Sequence, residues 1–231
     1  MLFPTIIVDN FFDNPDFVRD YGLSLSYSKT QKNYPGIRTG QTEDNFFQFA
    51  TEKMMAILYP MNYTNMVCRA NQFFQKISGK DYKNGGWIHQ DHNDQLTAIV
   101  YLSKHKGCGT SICKPKAFDK AYRDWELAHK SFLNPKVKVE KQLKAHNERF
   151  NKTIEIDSMY NRLVMFDASQ WHMANSFLDD NLEEERFIMV TFFNRMECNS
   201  KILPNQMIRF PLPEMRRTLF KNIFTGILNL L

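Results

Sequence analysis

A histidine and an aspartate lie two residues apart in the segment Trp87-Ile88-His89-Gln90-Asp91. In an extended chain the side chains at positions i and i+2 point to the same side of the backbone. The imidazole of His89 and the carboxylate of Asp91 can therefore reach one ion. Two ligands do not complete a metal site, so a third must come from another part of the chain.

The candidate third ligand is His172, which lies 83 residues after His89, beyond the apolar run 162–166 and a turn. Two histidines and one carboxylate on one face of a metal leave three positions open for O2 and a bidentate co-substrate, an arrangement typical of non-haem iron(II) oxygenases. Arg186 follows 14 residues later and opens the apolar run 187–193. A fixed guanidinium there matches the distal carboxylate of a dicarboxylic acid.

Other assignments of the ligands are open but less favourable. His92 adjoins Asp91, but on a strand its side chain would face away from it. A zinc site at Cys108 and Cys113 would need two further ligands, and neither cysteine has a local partner of that kind. The remaining histidines lie in charged or helical contexts and are predicted to be surface residues: His105, His129 and His146.

The ordered set of motifs resembles the prolyl-hydroxylase-like part of the 2-oxoglutarate/iron(II) oxygenase superfamily, over about residues 70–195. In that family an HxD motif is followed by a strand ending in Tyr-Leu, a GGxT-like turn, a distal histidine and then an arginine or lysine. The corresponding residues here are His89/Asp91, Tyr101-Leu102, Gly107-Cys108-Gly109-Thr110, His172 and Arg186.

The resemblance implies an enzyme of the hydroxylase type that uses iron(II), 2-oxoglutarate and O2. His89, Asp91 and His172 would bind iron, Arg186 would hold the co-substrate, and Tyr101 would donate a hydrogen bond to its carboxylate. Halogenating relatives lack the carboxylate ligand, so Asp91 favours hydroxylation or a related oxidation. The implied substrate is an unidentified small molecule or peptide.

Segments outside these motifs resemble a poorly characterised bacterial and phage branch of the superfamily. They are Asp9-Asn10-Phe11-Phe12 with Asn14-Pro15, Tyr34-Pro35-Gly36-Ile37-Arg38, and Asn161-Arg162-Leu163-Val164-Met165-Phe166. This chain departs from the family at Cys108, which interrupts the usual glycine pair, and in an insertion over residues 114–155. Neither departure touches a metal position, so both concern the substrate rather than the chemistry.

The insertion accounts for the positive net charge of the chain. Residues 114–155 carry 11 Lys/Arg and 6 Asp/Glu, a net charge of +5 that equals the net charge of the whole chain. With Tyr122, Trp125 and Phe132 it could contact phosphates and stack on bases, which leaves open a nucleic-acid-directed oxidative demethylase. A catalytically inactive barrel used as a binding module is the other alternative.

Composition predicts a folded, soluble protein. Hydrophobic residues make up 43% and aromatic residues 14% of the 231, too many for a disordered chain. The first residues lack a basic stretch before an apolar run, and no apolar stretch is long enough for a membrane span. The four cysteines form no CxxC pair, which favours a reducing, cytoplasmic setting.

The pattern of elements predicts an α+β fold with a mainly β core. Short apolar runs at residues 66–77, 87–89, 96–102, 111–113, 162–166 and 187–193 are expected to be strands. The resemblance implies a double-stranded β-helix, a jelly-roll or cupin-like barrel, in one domain over residues 1–231. Its predicted parts are an N-terminal helical support (1–65), the barrel core (66–113 and 156–195), a helical insertion (114–155) and a C-terminal helical segment (196–231).

Several local features are predicted inside these parts. Asn14 and Pro15 indicate a helix start, and residues 34–39 a turn. Thr42 opens a second helix whose apolar face is Phe46, Phe49, Ala50, Met54 and Ile57. A helix of the insertion is expected to place Val139, Leu143, His146 and Phe150 on one face. The apolar face of the C-terminal helix could support a homodimer.

Overall fold

The computed structural model describes residues 3–28, 36–42, 44–59, 66–78, 86–117, 139–177 and 185–198. The helices are α1 (Pro15–Ser24), α2 (Asp44–Leu58) and α3 (Val139–Asn147). The strands are β1 (Ile6–Val8), β2 (Tyr27–Ser28), β3 (Ile37–Thr39), β4 (Met66–Ile77), β5 (Leu96–Tyr101), β6 (Thr110–Pro115), β7 (Phe150–Ile156), β8 (Leu163–Asp167), β9 (Trp171–Ala174) and β10 (Arg186–Cys198). None of the described helices is both long and apolar enough to cross a membrane.

The strands form two antiparallel sheets. The large sheet has seven strands in the order β1-β8-β5-β10-β4-β3-β2, and the small sheet has three in the order β7-β6-β9. Every residue of β5 and β8 is buried. Central strands covered on both faces are expected to be apolar throughout, as these two largely are.

The large sheet lies between the helices and the small sheet. Alternate side chains of its strands pack against α1 and α2, in a core that includes Val18, Met54, Phe74, Val100 and Met189. The intervening side chains form its inner face, which packs against Ile112 of β6 and Ile156 of β7. This inner face includes Ile99, Tyr101, Val164, Phe166, Ile188 and Val190.

The mainly β architecture with few helices confirms the coarse prediction from the sequence. Strand β4 has the predicted bounds, and α1 begins as predicted. Pro15 occupies the first turn, and the Asn14 side chain accepts a hydrogen bond from the Phe17 amide at 3.1 Å. This bond satisfies one of the amides that a helix start leaves without an intrahelical partner.

Residues 1–65, the predicted helical support, also contribute three strands to the large sheet. The predicted turn at residues 34–39 was wrong for Ile37–Thr39, which is β3 and pairs with β4. Gly36 precedes it with φ of +72°, and a Cβ there would lie 1.9 Å from the Lys76 carbonyl oxygen. Glycine therefore allows β3 to approach β4.

The insertion has narrower bounds than predicted. Strand β6 continues to Pro115, and residues 150–156 form β7 rather than the end of a helix, so Phe150 was wrongly assigned. The helical spacing holds only through α3, after which the exposed residues 151–155 pair with β6 between buried Phe150 and Ile156. The aromatic residues Phe118, Tyr122, Trp125 and Phe132 lie outside the described residues.

Two smaller predictions were also wrong. Residues 87–89 form no strand, but only a single antiparallel bridge between His89 and His172. Phe49, predicted on the apolar face of α2, is half exposed. The C-terminal segment begins as strand, since β10 runs to Cys198, and the predicted helix beyond it lies outside the described residues.

Candidate metal centre

The two sequence-predicted histidines face each other across a pair of backbone hydrogen bonds. The His89 amide donates to the His172 carbonyl at 3.0 Å, and the His172 amide donates to the His89 carbonyl at 2.9 Å. Opposite residues of an antiparallel pair share one side, so the two imidazoles lie together, with ring centroids 4.3 Å apart. This register brings together side chains that are 83 positions apart in the chain.

Asp91 completes the cluster. Its Oδ1 lies 3.7 Å from His89 Nε2, and its Oδ2 lies 3.4 Å from His172 Nε2. One donor atom from each of the three residues lies within 4.8 Å of the others. Two imidazole nitrogens and one carboxylate oxygen are the donor set expected for non-haem iron(II), so these residues fit that metal.

Hydrogen bonds from Nδ1 to backbone carbonyls fix the orientation of both imidazoles. His89 Nδ1 lies 2.7 Å from the Trp87 carbonyl oxygen, and His172 Nδ1 lies 2.9 Å from the Gln170 carbonyl oxygen. A carbonyl oxygen only accepts, so each Nδ1 carries the proton and donates it. Each ring therefore turns its Nε2 towards the cluster, as a metal ligand requires.

The charge states of the buried pair also suit a metal. Burial lowers the pKa of His172 to about 4, against the attraction of Asp91, so its imidazole is neutral at neutral pH. Burial acts to raise the pKa of the Asp91 carboxyl, but His172, His89 and the Thr97 hydroxyl lower it below its usual value. The carboxylate is ionised and the imidazole is unprotonated, as metal binding demands.

Thr97 supports Asp91 and was missed in the sequence. Its hydroxyl donates to Asp91 Oδ2 at 2.6 Å, while the Asp91 amide donates to the Ala168 carbonyl at 2.9 Å. The alternation of side chains along β5 could have indicated this role, because Thr97, Ile99 and Tyr101 occupy the same face of the strand. A polar residue on that otherwise apolar face indicates a buried partner.

Arg186 and Tyr101 lie together on the inner face. Arg186 is 3% exposed, its Nε donates to the Cys108 carbonyl at 2.9 Å, and its Cζ lies 5.8 Å from the Tyr101 ring centroid. The Tyr101 hydroxyl donates to Thr110 Oγ1 at 2.7 Å. Burial raises the pKa of Tyr101, so its phenol stays protonated, and the guanidinium supplies a charge beside it.

The turn at residues 107–110 can hold a cysteine at position 108, because Cys108 contacts its neighbours through backbone atoms. The Cys108 carbonyl accepts from Arg186, and the Cys108 amide donates to Ser158 Oγ at 3.0 Å. Gly109 is the position that needs glycine, since a Cβ there would lie 1.8 Å from the Ile156 carbonyl oxygen. The departure from the family motif at Cys108 therefore leaves the turn intact.

His146, predicted to be a surface residue, is 3% exposed and contacts the segment that carries His89. Its Nε2–H donates to the Ile88 carbonyl at 2.8 Å, and its ring stacks on Trp87 with centroids 4.5 Å apart. Asn147 accepts from the Ile88 amide at 3.1 Å and donates to the Gly86 carbonyl at 3.0 Å. The end of α3 thus binds one edge of this segment while β9 binds the other.

We expect His146→Ala to weaken iron(II) binding by about 10- to 100-fold, because partners that orient metal ligands typically contribute that much. His146→Gln should recover part of the loss, since a glutamine amide can donate to the same carbonyl. Iron(II) titration of the purified variants measures this, with melting temperature recorded alongside. Glu148→Ala, at an exposed position beyond α3, is the matched control, and equal weakening in the Ala and Gln variants would contradict a role for the hydrogen bond.

The rival side chains lie elsewhere or have other partners. His92 is exposed and lies outside the cluster. Two other arginines could in principle hold a carboxylate in place of Arg186, but both have partners: Arg162 binds both carboxylate oxygens of Asp9, at 2.5 and 3.0 Å, and Arg195 is an exposed partner of Glu197. Cys108 and Cys113 are buried free thiols, and the three-residue metal group found among the described residues contains neither.

A protein-family model matches most of the chain. The model described as "Family of unknown function (DUF6445)" matches residues 3–186, which is most of the chain. No curated protein matches the sequence.

Solved structures similar to this chain include 2-oxoglutarate/iron(II) enzymes. The α-ketoglutarate-dependent epimerase SnoN from nogalamycin biosynthesis is 13% identical, over 82% of this chain and 77% of its own, with a TM-score of 0.49. HygX from Streptomyces hygroscopicus, with nickel and 2-oxoglutarate bound, is 10% identical over 82% of each chain, with a TM-score of 0.48. A Pseudomonas putida prolyl-4-hydroxylase is 15% identical, over 83% of this chain and 92% of its own, with a TM-score of 0.47.

Proposed function

We propose that this chain, which belongs to the DUF6445 family of unknown function, is an oxidoreductase that uses iron(II), 2-oxoglutarate and O2 to oxidise an organic substrate. The observation that carries the proposal is the convergence of His89, Asp91 and His172. Their donor atoms lie within 4.8 Å of one another, and both imidazoles present Nε2. Such a cluster binds iron(II) on one face and leaves the other face open.

The residues around the cluster have separate tasks in this proposal. The three ligands hold iron, which when bound with the co-substrate supplies the oxygen activation. The Arg186 guanidinium holds the distal carboxylate of 2-oxoglutarate by a charge-assisted, two-donor contact. The Thr110 hydroxyl, which accepts from Tyr101 and keeps its own hydrogen, can donate to the same carboxylate, and Tyr101 orients it.

The space between the sheets suits a reaction that must exclude water. Buried apolar side chains of both sheets pack together there next to the cluster, among them Ile99, Ile112 and Phe166. A dry, fixed environment strengthens the electrostatic contacts to a bound co-substrate and limits side reactions. We propose that the two sheets are the halves of a double-stranded β-helix, and that the oxidation is a hydroxylation.

Succinate formation tests the proposal directly. The purified full chain, supplied with iron(II), ascorbate, 2-oxoglutarate and O2, should form succinate slowly even without its substrate, as uncoupled turnover. Omitting iron or O2 should remove the signal, which mass spectrometry of the reaction mixture can follow. A protein that binds iron(II) tightly but forms no succinate under any of these conditions would exclude 2-oxoglutarate chemistry at this centre.

A further inference from the structure

Arg38 of β3 lies on the same side of the large sheet as the metal cluster. Arg38 is opposite Gln75 of β4, and Gln75 is opposite Ile188 of β10, which belongs to the inner face. Directly opposite residues of paired strands share a face, so Arg38 also projects inwards. Its Cζ lies 5.9 Å from the Phe73 ring centroid and 5.5 Å from the Phe192 ring centroid.

One row of side chains across the sheet places this guanidinium relative to the ligands. Phe192 is opposite Thr97, and Thr97 is opposite Phe166. Thr97 donates to Asp91, and the Phe166 ring centroid lies 4.6 Å from that of His172. Arg38 at Phe192 therefore lies on the flank of Asp91 opposite His172, close enough for its charge to act on the Asp91 carboxylate.

The second inner-face arginine contacts another row of the sheet. Arg186 is bonded to the Cys108 carbonyl and lies beside Tyr101, which is opposite Ile188. Ile188 precedes Phe192 by four residues on β10, about 13 Å at the usual rise of a strand. The distal carboxylate of a co-substrate held by Arg186 is therefore separate from a group bound by the Arg38 guanidinium.

We infer that Arg38 binds a carboxylate of the substrate, which makes the substrate a small organic acid with an apolar body. A guanidinium offers two parallel N–H donors that match a carboxylate, and the rings of Phe73 and Phe192 offer apolar surface next to it. A carboxylate held beside Asp91 would place a neighbouring C–H bond close to the metal. This inference rests on the proposed function, because it names the substrate class for the same centre.

Binding of a matched acid and amide tests the inference without turnover. The full chain is loaded with redox-inert zinc and saturated with 2-oxoglutarate, then titrated calorimetrically with phenylacetate and with phenylacetamide at one pH. The wild type should bind the acid at least about tenfold more tightly, as expected for a charge-assisted contact. Arg38→Gln should abolish the preference, and Arg38→Lys, which keeps the charge without the paired donors, should retain part of it.

Arg195→Gln is the matched control and should keep the wild-type preference, since Arg195 is exposed and pairs with Glu197. Several results would overturn the inference: no binding of the acid by the wild type, an unchanged preference in Arg38→Gln, tighter binding of phenyl phosphate than of phenylacetate, or competition between phenylacetate and 2-oxoglutarate. The proposed function is judged separately, by 2-oxoglutarate binding in the same titrations. If 2-oxoglutarate fails to bind while phenylacetate binding depends on Arg38, the carboxylate site at Arg38 is supported and the proposed function is contradicted.

Discussion

Replacing His172 or Asp91 with alanine should weaken iron(II) binding by at least about 100-fold and reduce succinate formation to background. Second-sphere partners alone contribute 10- to 100-fold to metal affinity, so a lost ligand should cost no less. The metal group found among the described residues contains only His89, Asp91 and His172, so no substitute ligand is already in place. Iron(II) titration and succinate assays on the same preparations measure the two effects, and His89→Ala should behave alike.

The fold should survive these changes, which circular dichroism at neutral pH can verify. His92→Ala is the matched control, because His92 adjoins Asp91 but is exposed and lies outside the cluster. It should retain wild-type iron affinity. If iron binding persists in His172→Ala and is lost in His92→Ala, the ligand set has been misassigned.

Arg186→Ala should raise the KM for 2-oxoglutarate by about 30-fold or more while iron(II) remains bound. Removing one partner of a buried, charge-assisted pair costs about 2–5 kcal/mol, part of it from leaving the other charge unpaired. Arg186 is suited to such a contact because it is almost fully buried and its Nε is already bonded to the Cys108 carbonyl. That bond orients the remaining donors of the guanidinium before the co-substrate arrives.

Steady-state kinetics of succinate formation, with 2-oxoglutarate varied at saturating iron, separates this effect from loss of metal. Arg195→Ala is the appropriate control, since both are arginines of β10 but Arg195 is exposed. Arg186→Lys should give an intermediate KM, because it retains the charge and loses the bond to Cys108. An unchanged KM in Arg186→Ala would contradict the assignment of Arg186 to the distal carboxylate.

The sequence predicted the members of the cluster but not what holds them in place. His89 and Asp91 could be paired because extended backbone puts i and i+2 on one side, and His172 and Arg186 followed from the order of the motifs. His146 and Asn147 act through contacts between residues distant in the chain, which periodicity does not report. Thr97 shows in the sequence only as a polar residue on the inner face of β5. His146 in particular shares its helical, charged context with surface histidines and differs only in what α3 packs against.

The fold was predictable where a segment's own pattern decides its structure. The apolar run of β4 and the Asn14-Pro15 start of α1 are examples. β7 was missed because Lys152 interrupts the alternation of Phe150, Ile154 and Ile156, and its strand conformation comes from pairing with β6. β3 was missed for a related reason, since a three-residue strand beside a glycine turn is stabilised by β4 rather than by its own composition.

The reciprocal bridge between His89 and His172 also connects metal binding to chain closure. In the unfolded chain these residues are separated by 82 others, and bringing such distant points together carries an entropy cost that is recovered only when the native contacts form. A metal that needs both His89 and His172 as ligands binds only the chain in which these residues are paired. Mass action then favours the paired arrangement as the metal concentration rises. Residues 86–91, which have few elements of regular structure of their own, are consequently where local opening of the metal-free protein should begin, and where available iron would most strongly suppress it.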